Sequence, residues 1–462
     1  MDAAERARHR LADELGADVS FDRVVRAASR ADRSGFTAAG LPIAVVNATA
    51  VAQVQATLRI ASDLRIAVIT RGAGTGLAGG ACGTDGSIVL SLAGMNRILR
   101  IRPEDQLAVV EPGVINQHLN DALAGHGLWF APDPASKAIC TVGGNIATNA
   151  GGLLCAKYGV TREAVLGLSV VLADGTLLHT GHGTVKGVTG YDLTALFTGS
   201  EGTLGVIVEA TVRVRPLPGA PVTVGALFRT VREAAAAAAA VTAARLCPAV
   251  MELLDPVALG LIADFLGPGA VDVPGPGAFL LVQTDGAGAL AEADRVLEVL
   301  RAAGGVARLE HDSQAAERLV EIRRALHPAL ASHGTVLIED VCVPRSRMAE
   351  MFDVISGISA RTGIVIPVVA HAGDGNLHPN FMIPPQPGGA VVVPGAVWAA
   401  ADEMFQAALR LGGTLTGEHG VGVLKRHWLA DDIGDTSLQL QRRLKAVFDP
   451  LNILGPGTMF DA

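Results

Sequence analysis

The chain of 462 residues carries a formal net charge of −8, and half of it is hydrophobic, much of that alanine, with few aromatics. Such a length points to two or three domains with cores of their own. The acidic balance lacks the basic footprint of a nucleic-acid binder, so no nucleic-acid partner is expected.

The amino terminus, MDAAERARHRLADELG, is charged and helix-like, and residues 1–40 read as a helical lead-in without the apolar core of a signal segment. From 41 to 217 the chain is rich in glycine and short apolar runs. LAVVEPG from Leu107, LGLSVVLADGTLLHTG from Leu166 and TLGVIVEATVRVRPLPG from Thr203 read as strands and turns, with helices such as AVAQVQATLRIASDL between them. RPLPGAP, from Arg215, ends regular structure and marks a boundary. From 218 to 462 alanine-rich helices alternate with strands such as FLLVQTD from Phe279 and IVIPVVAHAG from Ile364, while PPQPGGAVVVPG from Pro384 reads as a loop. The alanine run Glu233–Leu246 predicts a helix laid on a sheet rather than in lipid. No apolar stretch reaches the ~18 residues that span a bilayer, so no integral membrane segment is expected, the location is cytoplasmic, and any contact with the inner membrane face is peripheral. Cys82, Cys140, Cys155, Cys247 and Cys342 are scattered, odd in number and form no C-x-x-C. That suits a reduced protein without a cysteine-based metal or redox site.

Within VITRGAGTGLAGGACGTDGSIVLSL, Gly74, Gly76 and Gly79 spell G-x-G-x-x-G, the pattern of a dinucleotide-binding turn. The left flank, LRIAVIT, is a strand. The right flank holds the turn pair Asp85-Gly86 and the strand-like SIVLSL, with no helix to aim at a pyrophosphate and no acidic residue some twenty positions on for a ribose. The stretch therefore reads as strand, glycine loop, strand. Such a loop either converges backbone N–H groups on an anion or is a plain tight connection.

Three pieces of the second half carry titratable groups. In VVAHAGDGNLHPNF, taking Asp374-Gly375 as a two-residue hairpin turn sets His371 opposite His378 on one face, Cβ atoms ~5 Å apart. The pair either chelates a metal at ~2.0–2.1 Å or merely hydrogen-bonds at a strand end. In GGTLTGEHGVGVLKRHW, Glu418 and His419 stand among glycines that let backbone approach a ligand. Glu418 is a third candidate ligand and His419, pointing elsewhere, a candidate general base; the plain alternative is a helix-start loop with a capping glutamate. In ERLVEIRRALHP, Arg323 and Arg324 offer a guanidinium fork for an acid, or simply a solvated helix face.

The motifs RGAGTGLAGG, PDPASKAICTVGGNIATNAGGLLCAKYG, GYDLTALFTGSEGTLGVI, HAGDGNLHPN, GEHGVG and FDPLNILGPG together carry a resemblance over nearly the whole chain from about residue 40. The sequence resembles the FAD-linked D-2-hydroxy-acid dehydrogenases: the D-lactate dehydrogenases, glycolate oxidase FAD subunits and D-2-hydroxyglutarate dehydrogenases of the vanillyl-alcohol-oxidase-like flavoproteins. The resemblance implies an α+β fold. Residues 41–217 would form a FAD-binding domain of the PCMH type (vanillyl-alcohol-oxidase fold). Residues 218–462 would form an α+β substrate, or cap, domain with an antiparallel sheet, a metal site and a C-terminal segment returning to the flavin.

By the same resemblance Arg71, Gly72, Ala73, Gly74, Thr75 and Gly76 wrap the FAD pyrophosphate, so the glycine motif is not an NAD site. Pro132, Asp133, Thr141, Gly143, Gly144, Asn145, Thr148, Gly151, Glu201, Gly202, Gly205, Ile207 and Asn452 line the rest of the cofactor. Thr75 stands where some relatives attach their flavin through a histidine, which implies non-covalent FAD. His371, His378 and Glu418 match the ligands of a divalent metal, zinc first, with manganese or iron also suited to such donors. His419 matches the catalytic base, Arg323 the substrate-carboxylate arginine, and Asn380 a residue near the substrate. The reaction implied is oxidation of a 2-hydroxy acid to the 2-oxo acid, with hydride passing to flavin N5 and electrons onward to an acceptor protein or quinone. A homodimer is compatible with the family.

Two departures matter. Gly455-Pro456-Gly457-Thr458 replaces the common N-P-G-K, although Asn452 remains. Glu339 precedes Asp340-Val341-Cys342-Val343-Pro344 where D-2-hydroxyglutarate enzymes place a basic residue. An acidic group there repels a second carboxylate and favours D-lactate, glycolate or a larger monocarboxylate. D-2-hydroxyglutarate oxidation stays as the first alternative. Three further readings are a non-redox alkyl-transferring flavoenzyme of the same fold, an electron-relay subunit, and a metal hydrolase without flavin.

Overall fold

The computed structural model describes residues 1–267, 277–383 and 393–461, so the Pro384 loop falls almost wholly outside the described residues. The chain divides into two compact units. One comprises Met1–Gly151, Gly159–Leu217 and Glu418–Ala462; the other comprises Gly152–Tyr158 and Pro218–Gly417.

In the first unit, four strands make a sheet in the order Val19–Ser20, Ala44–Asn47, Ile88–Ser91, Val68–Arg71. The last three are parallel, so the glycine loop after Arg71 connects two parallel neighbours without a helix. The crossover helix between the other parallel strands is Val51–Leu64, whose Val54, Leu58 and Ile60 are fully buried. The lead-in helix Ala3–Leu15 adds Ala7, Leu11 and Leu15 to the same core. At the far edge of this sheet the C-terminal segment pairs with Val68: Val68 N donates to Ile453 O at 2.7 Å, and Gly455 N to Val68 O at 2.9 Å. A second, antiparallel sheet runs Ile98–Arg102, Leu107–Val110, Val206–Arg213, Val165–Val171, Leu177–Gly181. The alternating burial of Val206–Arg213 is the period-2 signature that its sequence carries.

The second unit is built on one antiparallel sheet. Its strand order is Val306–Glu310, Val222–Phe228, Ala278–Thr284, Val250–Leu254, Val368–His371, Asn376–Ile383, Thr335–Ile338, with Val341–Cys342 paired on Asn376–Ile383. The alanine run forms the helix Val231–Ala243, capped by Thr230, whose hydroxyl accepts from Glu233 N. Ala234, Ala237, Ala238 and Val241 are fully buried, because small side chains let a helix lie close to a sheet. On one face of the sheet Leu254, Phe279, Leu281 and Val369 pack with Ile262, Leu319 and Ile322 from the helices Pro256–Leu266 and Ser313–Arg324. Lys157 and Tyr158, from the short inserted segment, tie to this unit through the Asp285 carboxylate.

Candidate functional site

In the first unit the glycine loop meets the amino-terminal turn of the helix Val142–Thr148. A Cβ on Gly72 would lie 2.5 Å from Thr141 Oγ1, and one on Gly143 would be 2.8 Å from Pro112 Cα, so only hydrogen fits at either place. Thr141 caps the helix by accepting from Gly144 N at 3.2 Å, and Thr148 bonds back to Gly144 O within it. Arg71 folds across its own loop: Nη1 donates to Ala81 O at 2.8 Å, and Gly74, at φ +69°, leaves the room that the guanidinium occupies. Ala73 is exposed, whereas Thr75 and Gly76 are partly covered.

The segment Gly199–Gly205 joins the same helix, Gly199 N donating to Ile146 O and Glu201 N to Ala147 O. A Cβ on Gly202 would lie 3.6 Å from Thr70 Cβ. Gly205 and Ile207 instead belong to the packed core, as do the covered backbones of Pro132 and Gly151. Pro132 O accepts from Asn116 Nδ2, and Asp133 is buried beside it. Asn452 is exposed and left-handed, at φ +50°, next to Ile453, whose carbonyl accepts from Val68 N.

Glu201 reaches into the GEHGVG loop. Its two carboxylate oxygens accept from Val421 N and Gly422 N, both at 2.8 Å. Burial pushes its carboxyl up, while these two amides and the nearby Lys425 ammonium pull it down. Its backbone is left-handed, at φ +52°. Glu201 thus fixes the loop two and three residues beyond His419. No helix starts at Glu418, so a capping role for that residue is not what the structure has.

In the second unit, Glu252, His371, Asn376, His378 and Asn380 share one face of the sheet. Glu252 pairs directly across from His371, and His371 from Asn376. The hairpin register differs from the sequence expectation by two residues: His378 stands opposite Val369. Ala372–Gly375 form a four-residue turn in place of the two-residue one. His371 O accepts from both Asp374 N and Gly375 N, while Gly373 N donates to Met251 O on the neighbouring strand. The two imidazoles still meet, with ring centroids 4.8 Å apart and planes at 78°.

Glu252 is the residue that sequence reading missed. It is 0% exposed, and it divides its carboxylate between two partners. Oε1 lies 2.6 Å from His371 Nδ1, and Oε2 accepts from Arg323 Nε at 2.6 Å. Burial alone would raise its pKa; His371 and Arg323 outweigh that and hold it below the ordinary glutamate value. A signal was present: in the strand VMELL, Glu252 is a lone charge among apolar residues. Arg323, largely buried, is tied to Glu252 through Nε, and among the described residues no hydrogen bond from its η nitrogens is found. Arg324 is the solvated one, paired with Glu317 on the helix surface.

Asn380 is fully buried beneath His378, its Nδ2 donating to His378 O at 2.8 Å and Pro367 O at 3.2 Å; its Oδ1 has no partner. Asp340 accepts from Thr416 Oγ1 at 2.8 Å and Gly417 N at 2.7 Å. A Cβ on Gly417 would strike Asn376, His371's cross-strand partner. The peptide that precedes Glu418 is therefore pinned.

Residues 42–181 match the FAD binding domain family, and residues 217–459 match the family described as FAD linked oxidases, C-terminal domain. The chain belongs to the FAD-linked oxidase family. It is 40% identical over 425 residues to the glycolate oxidase subunit GlcD of Bacillus subtilis (strain 168), covering 91% of this chain and 89% of that one. It is 33% identical to the D-lactate dehydrogenase of Anaerostipes hadrus, over 90% and 89% of the two chains. Among solved structures, p-cresol methylhydroxylase with substrate bound aligns at TM-score 0.80 and 19% identity over 99% and 97%. An alkyldihydroxyacetonephosphate synthase aligns at 0.74 and 17% over 97% and 85%. At such identities the likeness concerns the fold, which is the PCMH type of FAD-binding fold in a chain of mixed helix and antiparallel sheet.

This family member is an FAD-linked oxidoreductase, and its first unit fits the cofactor. Gly72 and Gly143 let the glycine loop and the helix Val142–Thr148 pack without side chains between them, and two polar atoms nearby in the sequence, Asn145 Nδ2 and Thr70 Oγ1, are buried without a hydrogen-bond partner. Such groups normally pair, so they mark places for polar atoms of a ligand. Among the described residues no helix is long and apolar enough to cross a membrane.

Proposed function

We propose that this FAD-linked oxidase dehydrogenates a small D-2-hydroxy acid with one carboxylate, of the lactate or glycolate kind, to the 2-oxo acid. The observation that carries the reading is Glu252, which holds an imidazole and a guanidinium on one buried carboxylate. Arg323 then offers its η edge to the acid's carboxylate, the planar fork-on-fork match that guanidinium makes. His371, His378 and Glu418 are the group of potential ligands for a divalent ion, zinc first and manganese or iron next. The donor set fits: with Nδ1 committed to Glu252, His371 ligates through Nε2. When bound, the ion supplies Lewis acidity toward the substrate hydroxyl. FAD, held non-covalently, supplies the two-electron acceptor for the Cα hydride.

The chain's own groups do the rest. His419 takes the hydroxyl proton, and the glycines around it let its loop close on the substrate. Asn380 fixes His378 from beneath. The proton, the hydride and the 2-oxo acid together balance the hydroxy acid consumed. Glu339 ahead of Asp340 disfavours a second carboxylate, and the names of the glycolate oxidase and D-lactate dehydrogenase relatives support the monocarboxylate class. Electrons then leave to a protein or quinone acceptor in the cytoplasm or at the inner membrane face.

The test is anaerobic. The yellow protein is mixed in turn with D-lactate, L-lactate, glycolate, D-2-hydroxyglutarate and D-mandelate, with and without a chelator. Bleaching of the oxidised-flavin band by a monocarboxylate D-acid or glycolate, abolished by the chelator, is the expected result. Bleaching only by D-2-hydroxyglutarate overturns the substrate class, and a flavin that no hydroxy acid bleaches overturns the reaction.

A further inference from the structure

We propose that Glu252 is a positioning residue that sets the tautomer of His371 and the aim of Arg323 at once. The inference rests on the reading of His371 as a ligand and Arg323 as the carboxylate anchor. An ionised carboxylate only accepts hydrogen bonds, so both of its partners must donate. Arginine always can. Histidine does so only with its proton on Nδ1, which leaves the Nε2 lone pair for a metal. Glu252 Oε1 at 2.6 Å from Nδ1 therefore chooses the metal-competent tautomer. The second oxygen accepts from Arg323 Nε at 2.6 Å and so restrains the guanidinium plane. The strand around it is wholly buried, so no water competes for either bond.

This arrangement makes an asymmetric prediction for Glu252→Gln, which keeps shape but exchanges one acceptor oxygen for a donor NH₂. The donor cannot face Arg323, because a guanidinium has no acceptor. It faces His371 instead, and His371 accepts by moving its proton to Nε2. That tautomer cannot ligate. The carbonyl oxygen stays on Arg323. One substitution thus weakens metal binding and leaves the acid anchor in place.

The measurement is zinc affinity of the flavin-loaded full chain, by competition with a chromophoric chelator, alongside kcat and KM for the acid found to bleach the flavin. Glu252→Gln is expected to bind zinc 10–100-fold more weakly, the range for loss of a carboxylate behind a ligating histidine. At saturating zinc its KM for the acid stays close to that of wild type. Zinc binding equal to wild type overturns the inference and leaves the proposed function standing. Failure of the wild-type chain to bind zinc, manganese or iron overturns the metal reading itself, which separates the two. Should the variant not fold, long-range ¹⁵N–¹H spectra of the histidine-labelled, metal-free wild type decide: a proton on His371 Nδ1 supports the inference, and one on Nε2 refutes it.

Discussion

Replacing Glu201 by alanine should loosen the GEHGVG loop, because its carboxylate is what the loop's amides bond to. The carboxylate accepts from two consecutive amides, Val421 and Gly422, each at 2.8 Å. A donor stranded inside protein costs about 1–3 kcal/mol. Val421 is only partly covered, so water recovers some of that, and about 1–2 kcal/mol per amide is the better figure. The two together give about 2–4 kcal/mol, or roughly 30–1,000-fold in the population of the opened loop. Gly420 and Gly422, both at positive φ, add backbone freedom once the clamp is gone. Amide hydrogen exchange read by mass spectrometry on a peptide covering residues 417–426 reports this opening directly. Glu201→Ala should lose protection there by at least about 30-fold. Glu201→Gln, which keeps one carbonyl oxygen, should lose markedly less. If Glu201→Ala retains FAD and wild-type protection across this peptide, the loop is held by something else and the clamp argument fails.

Two further outcomes concern stability and thiol chemistry. Asp255 caps the helix Pro256–Leu266 by accepting from Ala258 N, and burial pushes its carboxyl up from 3.8 to about 7. Its folded pKa lies above its unfolded one, so the stability it contributes is full below pH ~4 and is lost as pH rises towards 7. Asp255→Asn keeps the cap without the titration. Its Tm advantage over wild type should therefore grow between pH 4 and 8, bounded by on the order of 4 kcal/mol, and a pH-independent difference would rule this out. Cys82, 3% exposed, has its thiol pushed up to about 12 by burial and the Asp32 charge. At pH 8 iodoacetamide should label the exposed Cys247 and spare Cys82 until the chain is unfolded, and comparable labelling of both in the native protein would contradict this.

What the sequence made legible follows from where its signals are local. The glycine loop between strands was readable because the loop is followed by the strand-like SIVLSL and not by a helix-forming run, and the structure has two parallel strands there with a loop between. The alanine helix was likewise written in consecutive residues. Glu252 was not read, since its meaning lies in three separate stretches: its own strand, the strand of His371 and the helix of Arg323. One local clue existed, a charge inside five buried residues, and it states that a partner exists without naming it. Asn380, placed near the substrate by resemblance, is fully buried and donates to the backbone of its own strand, with its Oδ1 unpaired. A residue two positions from a ligand along a strand shares its face, so packing beneath the ligand and touching the substrate are indistinguishable from spacing alone.

The histidine pair shows why one part of a reading survives an error in another. The Asp374-Gly375 turn was taken as two residues, and the chain makes a four-residue turn instead, because Gly373 spends its amide on Met251 and Gly375, at φ +94°, closes onto His371 O. The register moves by two. A shift of one would have turned His378 to the opposite face and abolished the pair, because side chains alternate along a strand. A shift of two preserves the face and converts a directly opposed pair into a diagonal one, where imidazoles still reach each other at 4.8 Å between centroids. The diagonal also leaves His371 directly opposite Glu252 on its other side. His371 therefore meets His378 across the hairpin and Glu252 across the neighbouring strand. The second of these contacts determines which of its nitrogens is available to the first.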